Sequence, residues 1–238
     1  GLHGFTAHFD GTNDYMALND GRYTQPTEEM SICLHITPDD TPAGNEYILH
    51  KNYEYAIYRD TNNQINVEVY PESADEANQV PLELKSTSSI AADGSTPTNI
   101  IITLDTSLKS GNIKLYIDGR LEDQSGLRKI IGTKNNWPSG VTLENFGTTM
   151  NVGCKFDGTT RSLYYDGKIE ELTIYNKIIN PISPKDESFV FKKPVKELTD
   201  ATEAVSRSYS CKLFIKDYHN IRGKTSGEVA ASSQVSFK

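Results

Sequence analysis

The chain has 238 residues, with 24 Lys plus Arg against 32 Asp plus Glu and a formal charge of −8. That balance repels a nucleic-acid backbone and disfavours an anionic membrane surface, and no Arg/Lys stripe offsets it locally. Hydrophobic residues make up 36 % and charged residues 24 %, the composition of a folded chain, and no apolar run approaches the ~20 residues that span a bilayer.

Strand signals dominate from Phe5 to Tyr175. Ser31–Thr37 alternates and puts Ile32, Leu34 and Ile36 on one face. Tyr55–Tyr58, Gln64–Tyr70, Val80–Leu84, Asn99–Leu104 and Asn112–Ile117 follow, then Thr149–Cys154 and Lys168–Tyr175, all rich in β-branched and aromatic residues. Asp60–Asn63, Asp93-Gly94, Ser110-Gly111, Asp118-Gly119, Asp157-Gly158 and Asp166-Gly167 punctuate them as turns. Asp118-Gly119 between two apolar runs predicts a hairpin with a primed turn. Many short strands without interleaved helices point to a sandwich or jelly roll.

The texture changes at Asn180-Pro-Ile-Ser-Pro184. We read residues 1–179 as one domain and 180–238 as a C-terminal extension. Within the extension, Pro194–Val205 has helical spacing, Tyr209–Lys216 alternates as a strand, and Gln234–Lys238 is a last extended piece. The three cysteines, Cys33, Cys154 and Cys211, have no C-x-x-C spacing, so a zinc finger lacks its parts; one disulfide or three buried thiols both remain open. The chain begins with Gly1, as an excerpt or a processed product would, and contains no Asn-x-Ser/Thr acceptor.

Four segments carry a resemblance. Phe9-Asp-Gly-Thr-Asn-Asp-Tyr15 is similar to the F-D-G-x-x-D-Y opening of laminin-G-like, concanavalin A-like jelly rolls. Met30–Pro38 resembles their second strand, Gly111–Arg120 their aliphatic-Tyr-Val-Asp-Gly hairpin, and Tyr165–Asn176 their closing F-D-G-x-I-D-E-V-x-I-Y-N strand. The order matches as well. The resemblance implies an all-β, two-sheet antiparallel jelly-roll sandwich over residues 5–176, with first and last strands adjacent. Two family positions differ: Pro97-Thr98-Asn99 stands where W-H-H is usual, and His35 where the second strand carries Trp.

Jelly rolls of this type often hold a structural Ca²⁺ near the two terminal motifs. The resemblance therefore nominates Asp10, Asn13, Asp14 and Asp166, with the carbonyls of Gly11 and Gly167, as oxygen ligands. The blander reading is that Asp10 and Asp166 shape their turns. No EF-hand loop occurs.

A glycan site needs aromatic platforms beside hydrogen-bonding groups. Trp137, flanked by Asn135 and Asn136, is the first candidate, followed by Tyr53, Tyr55 and Tyr58; the alternatives are that Trp137 plugs one end of the sandwich and that the tyrosines pack as a strand. Catalysis lacks its signatures: no E-x-D-x-x-E strand, no G-x-S-x-G, no H-E-x-x-H and no phosphate loop occurs. Glu170 and Glu171 are adjacent, so regular alternation sends them to opposite faces.

The leading expectation is a non-catalytic recognition or adhesion module on an extracellular, cell or virion surface, binding glycan or a surface protein. The rival is a structural subunit of a virion, surface-layer or filament assembly whose residues 209–238 reach a neighbouring copy by β-addition. A glycoside hydrolase or lyase is the third class.

Overall fold

The structure, a computed structural model, describes residues 6–21, 24, 26, 28–72, 80–108, 111–125, 141–179 and 181, with the backbone of Ser236 and Phe237. The described residues form strands and no helix. In chain order they are β1 (Ala7–Asp10), β2 (Met16–Leu18), β3 (Glu29–Pro38), β4 (Glu46–Lys51), β5 (Tyr55–Arg59), β6 (Gln64–Val69), β7 (Leu82–Ser89) and β8 (Thr98–Asp105). Then come β9 (Ile113–Ile117), β10 (Arg120–Gln124), β11 (Met150–Val152), β12 (Lys155–Phe156), β13 (Arg161–Ser162), β14 (Asp166–Tyr175) and β15 (Ser236–Phe237).

Two antiparallel sheets make a jelly-roll sandwich. One has six strands in the order β1-β14-β3-β8-β9-β10, and the other seven in the order β15-β2-β11-β4-β5-β6-β7. The opening and closing motifs pair as expected, with Phe9 opposite Gly167 and Asp10 opposite Asp166. Asp118 and Gly119 both take positive φ, 49° and 77°, which is the primed hairpin turn that the Asp-Gly dipeptide predicts.

Alternation explains the core. Ile32, Leu34 and Ile36 from one sheet meet Leu49, Ile57, Ile65 and Val67 from the other, all buried in one cluster. The far side of the six-stranded sheet carries a second cluster, in which Cys33, Ile101, Tyr116 and Tyr175 are covered by Ile179. The Ser31 hydroxyl holds that covering segment, donating to Lys177 O (2.8 Å) and accepting from Ile179 N (3.0 Å).

Two glycines mark close approaches. A Cβ on Gly167 would lie 2.7 Å from Pro38 Cα and from Thr37 O, so β14 and β3 touch there only because no side chain intervenes. One on Gly153 would lie 2.3 Å from the Phe9 ring.

The strand expected at Val80–Leu84 runs instead over Leu82–Ser89, continuing through polar residues whose inward member, Ser86, accepts from Ile65 N at 2.9 Å through its hydroxyl oxygen. β12 and β13 form a small hairpin around Asp157-Gly158 that periodicity did not predict, because two-residue strands have none. A bulge in β14 overturns the expectation for Glu170 and Glu171. Ile169 pairs with Ile36 and Glu171 with His35, leaving Glu170 as the extra residue. Both carboxylates therefore lie on the outer face: Glu170 approaches His35 Nδ1 at 2.8 Å, and Glu171 accepts from the Thr173 hydroxyl at 3.2 Å.

Cys33 and Cys154 are buried free thiols. Cys211, the helix expected at Pro194–Val205 and the strand expected at Tyr209–Lys216 lie outside the described residues. At the chain end, β15 pairs with β2 of the same chain, Ser236 opposite Ala17 and Phe237 opposite Met16.

Candidate functional site

The outer face of the seven-stranded sheet gathers the most chemistry. In β5, Tyr55, Ile57 and Arg59 point inward, leaving Ala56 and Tyr58 outward; in β6 and β7, Asn66, Glu68, Glu83 and Lys85 face out between buried aliphatics. Register then builds two rows across the strands. Tyr47 lies opposite Tyr58, Tyr58 opposite Asn66 and Asn66 opposite Lys85. Asn151 lies opposite His50, His50 opposite Ala56, Ala56 opposite Glu68 and Glu68 opposite Glu83.

The aromatic part comprises two groups of rings bridged by Glu68. Tyr47 and Tyr58 stack with centroids 4.8 Å apart and planes 23° apart. The Tyr70 hydroxyl reaches Glu68 Oε2 at 3.5 Å, and Tyr70 meets Tyr53 edge-on at 6.0 Å. Tyr53, 49 % exposed in the β4–β5 turn, lies 5.7 Å from the Phe146 ring. The strip so formed has an exposed end at Tyr53 and a recessed end at Tyr47.

Glu68 and Glu83 are directly opposed, a position where like charges repel. Among the described residues no Lys, Arg or His nitrogen lies within ion-pair distance of either carboxylate. Burial, and then the Glu83 carboxylate, raise the Glu68 carboxyl above the ordinary glutamate range, with Lys155 acting the other way; burial raises Glu83 too. Burial likewise raises the hydroxyls of Tyr47, Tyr58 and Tyr70, with Glu68 adding to each, so all three are neutral donors at physiological pH.

The β12–β13 hairpin borders the strip. His50 Nδ1 accepts from Phe156 N at 3.3 Å, which requires an unprotonated Nδ1, and burial with Lys155 pushes His50 down to about 4. Lys155 Nζ sits 5.3 Å from the Tyr47 ring centre. The Arg161 guanidinium covers Tyr15 at 4.0 Å and Phe156 at 4.5 Å, and donates to Asn151 Oδ1.

The expected residues divide. Tyr53 joins the strip, as does Tyr58. Tyr55 does not: it is 1 % exposed, faces the core and donates its hydroxyl to Thr24 O at 2.9 Å, so no ring face is left for a ligand. Trp137, Asn135 and Asn136 lie outside the described residues. Tyr47, Asn66, Glu68, Tyr70 and Glu83 were not singled out. Their signal was available in the polar positions of Gln64–Tyr70, but only the pairing with β4, β5 and β7 makes them neighbours.

The terminal motifs meet at the β1–β14 end. Asp10 Oδ1 accepts from Thr12 N (2.9 Å) and Asn13 N (3.3 Å), and Asp14 Oδ2 accepts from Asp10 N (3.2 Å), the turn-shaping role weighed for this loop. Gly11, with φ 70°, packs against Asp166, and its N–H reaches Tyr165 O. Among the described residues, His8, Asp39 and Asp166 bring one metal-competent atom each within 4.8 Å of one another, with His8 Nε2 2.6 Å from Asp39 Oδ2. Burial, Asp40 and Asp39 together raise the Asp166 carboxyl.

The family model described as the concanavalin A-like lectin/glucanases superfamily, a laminin-G type, matches residues 10–182. No curated protein matches the chain. Solved structures with a similar fold include a candidate carbohydrate binding protein from Bacteroides ovatus, with 10 % identity and TM-score 0.50, where 76 % of this chain covers 46 % of that one. A heptameric SAP-like pentraxin from Limulus polyphemus gives 12 % identity and TM-score 0.48, with 76 % and 80 % covered. The CBM40 of a Ruminococcus gnavus IT-sialidase, bound to α2,3 sialyllactose, gives 12 %, 0.48, 75 % and 94 %. At such identities the likeness is one of fold. With the sandwich, the β1–β14 closure and a model matching more than half its length, the chain belongs to the concanavalin A-like lectin/glucanase superfamily.

Proposed function

We propose that the chain is a glycan-binding module displayed on an extracellular, cell or particle surface, with its sugar on the outer face of β4–β7. One observation carries the reading: a stacked tyrosine pair, a further tyrosine and the Glu68–Glu83 carboxylates, which have no ion-pair partner among the described residues, share one register-built strip. Sugar rings offer C–H faces to aromatic planes and hydroxyls to carboxylates and amides, so this is the chemistry a pyranose requires. Family membership supports the same class, and fold alone does not fix the ligand. A glycan array with wild type and Tyr58→Ala tests it. Binding by wild type that falls at least about tenfold in the variant, about 1.4 kcal/mol, supports it; silence of the wild type both with Ca²⁺ and with EDTA sinks it.

The carboxylate pair favours a second reading. Residues directly opposite in an antiparallel pair have Cβ atoms about 4.5–5.5 Å apart, so the two flexible glutamate side chains have the reach to bring their carboxyls to the separation of about 5–5.5 Å that retaining glycosidases use. A retaining hydrolase using Glu68 and Glu83 would release reducing ends from a polysaccharide panel; binding without turnover returns the assignment to recognition.

Calcium at the β1–β14 end is a structural proposal beside these. The Asp166 carboxylate has no hydrogen bond or ion pair among the described residues, and Asp39 and Asp40 repel its charge, so a hard cation fits its surroundings. Asp166 and Asp39, whose ligand atoms lie with His8 Nε2 within 4.8 Å of one another, would hold it first, with Asp10, Asn13 and Asp14 and the Gly11 and Gly167 carbonyls as the further oxygens nominated from the sequence. The ion would supply charge neutralisation between first and last strands.

A further inference from the structure

The strip on β4–β7 is short of positive charge. Glu68 and Glu83 bring two carboxylates, and the described ammonium groups that border them are engaged elsewhere: Lys155 lies over the Tyr47 ring, and Lys85 reaches Asp60 Oδ2 at 2.5 Å. That internal contact is itself informative: an ammonium on a flexible stem has settled at the π-face of the Tyr47–Tyr58 stack. The electron-rich rings of Tyr58 and Tyr70 and the two carboxylates all attract the same kind of group. Hydroxyl-only ligands would leave the mutual repulsion of Glu68 and Glu83 in place, and an anionic sugar would add to it.

We propose that this strip recognises an ammonium carried by its ligand, and that the ligand is an aminoglycan containing hexosamine units with free amino groups. The inference rests on the glycan-binding reading. The amino group would lie between Glu68 and Glu83, where it offsets two like charges at once, with the pyranose ring against Tyr58. Tyr70, bonded to Glu68, fixes the carboxylate that receives it. A primary ammonium has three donors, enough for both carboxylates and a ring hydroxyl. Acetylation of the amine removes the charge and two of those donors, so the N-acetylated ligand should bind far more weakly.

The experiment is calorimetric titration of the whole chain with three short oligosaccharides of equal length: β-1,4-linked glucosamine, its fully N-acetylated form, and a neutral gluco-oligosaccharide. The glucosamine oligomer is expected to bind at least about tenfold more tightly than the other two. Glu83→Gln is expected to remove that preference while the thermal midpoint stays level or rises. A variant of the exposed Glu28 remote in sequence from the strip, Glu28→Gln, controls for attraction to the chain's net charge of −8 and is expected to keep the preference. Equal binding of all three oligomers overturns the ammonium site and leaves glycan recognition standing. Binding of none overturns both. A preference that falls equally in Glu28→Gln, or a lysine-rich peptide binding in place of the aminoglycan, overturns the proposal.

Discussion

Tyr58 and Arg59 are neighbours on β5 that point into opposite kinds of electrostatic surroundings. Arg59, fully buried, has every nitrogen engaged: Nε and Nη2 on Glu46 at 2.8 and 2.6 Å, Nη1 on Asp40 O at 2.5 Å and Asn63 Oδ1, Nη2 on Asp166 O at 3.1 Å. Its guanidinium also lies 5.4 Å from the Tyr165 ring centre. The charge is fully answered within the chain and joins β5 of one sheet to the start of β14 in the other. On the other side, Tyr58 looks onto two carboxylates with no ion-pair partner among the described residues. Compensated charge fixes the architecture, and under the proposed function the outer pair, without an ion-pair partner among the described residues, is what takes the ligand.

The contrast breaks first at Arg59. Arg59→Met would strand the Glu46 carboxylate and three acceptors, and urea unfolding should lose about 3–5 kcal/mol. Arg59→Lys should recover only part, since one ammonium cannot reproduce the planar fork. A variant as stable as wild type would show that the inner charge is no more structural than the outer pair.

Calcium comes next. If the β1–β14 end binds the ion only when folded, a hundredfold excess over Kd adds about 2.7 kcal/mol and raises the melting midpoint. Asp166→Asn should abolish the rise. An unchanged midpoint after EDTA and calcium readdition removes the ion from the account.

The pH dependence of stability sharpens the role of His50. Its folded value of about 4 lies below the ordinary 6.5, so the unfolded chain binds the proton more readily and stability falls as pH drops through that window. Between pH 7 and pH 5 the loss due to this group is about 2 kcal/mol. Glu68 and Glu83, raised in the folded state, act with the opposite sign, so the comparison is wild type against His50→Gln: the variant should show the shallower decline. The smallest effect is Glu83→Gln, which relieves a like-charge pair and should stabilise the unliganded fold by roughly 0.2–1 kcal/mol.

Much of the fold was legible because two-sidedness writes itself into alternation. Ile32, Leu34 and Ile36 read correctly, and Asp118-Gly119 announced its turn through the conformation it alone accepts cheaply. Where geometry departs from alternation, the reading failed. The β14 bulge put Glu170 and Glu171 on one face, and the continuation of β7 through Lys85–Ser89 has no apolar period to announce it. The site was less legible still. Tyr53 and Tyr58 are legible as candidate aromatic platforms, but Glu68 opposite Glu83 depends on a pairing between strands separated by residues 70–81, and no local pattern states which strand lies alongside which. Tyr55 follows the strand-packing alternative instead, because residue type alone does not say which way a ring faces.

The bulge at Glu170 has a consequence for how this strand can vary in length. With Ile169 inward, and Glu171 outward ahead of inward Leu172, deletion of Glu170 alone would leave both halves of β14 in step with β3 and merely straighten the ribbon. Deletion one position before Ile169 or after Leu172 would instead turn a whole half-strand inside out. The Glu170-Glu171 pair, where loss of either residue gives the same chain, is thus the place in β14 where a codon could be lost without inverting the strand.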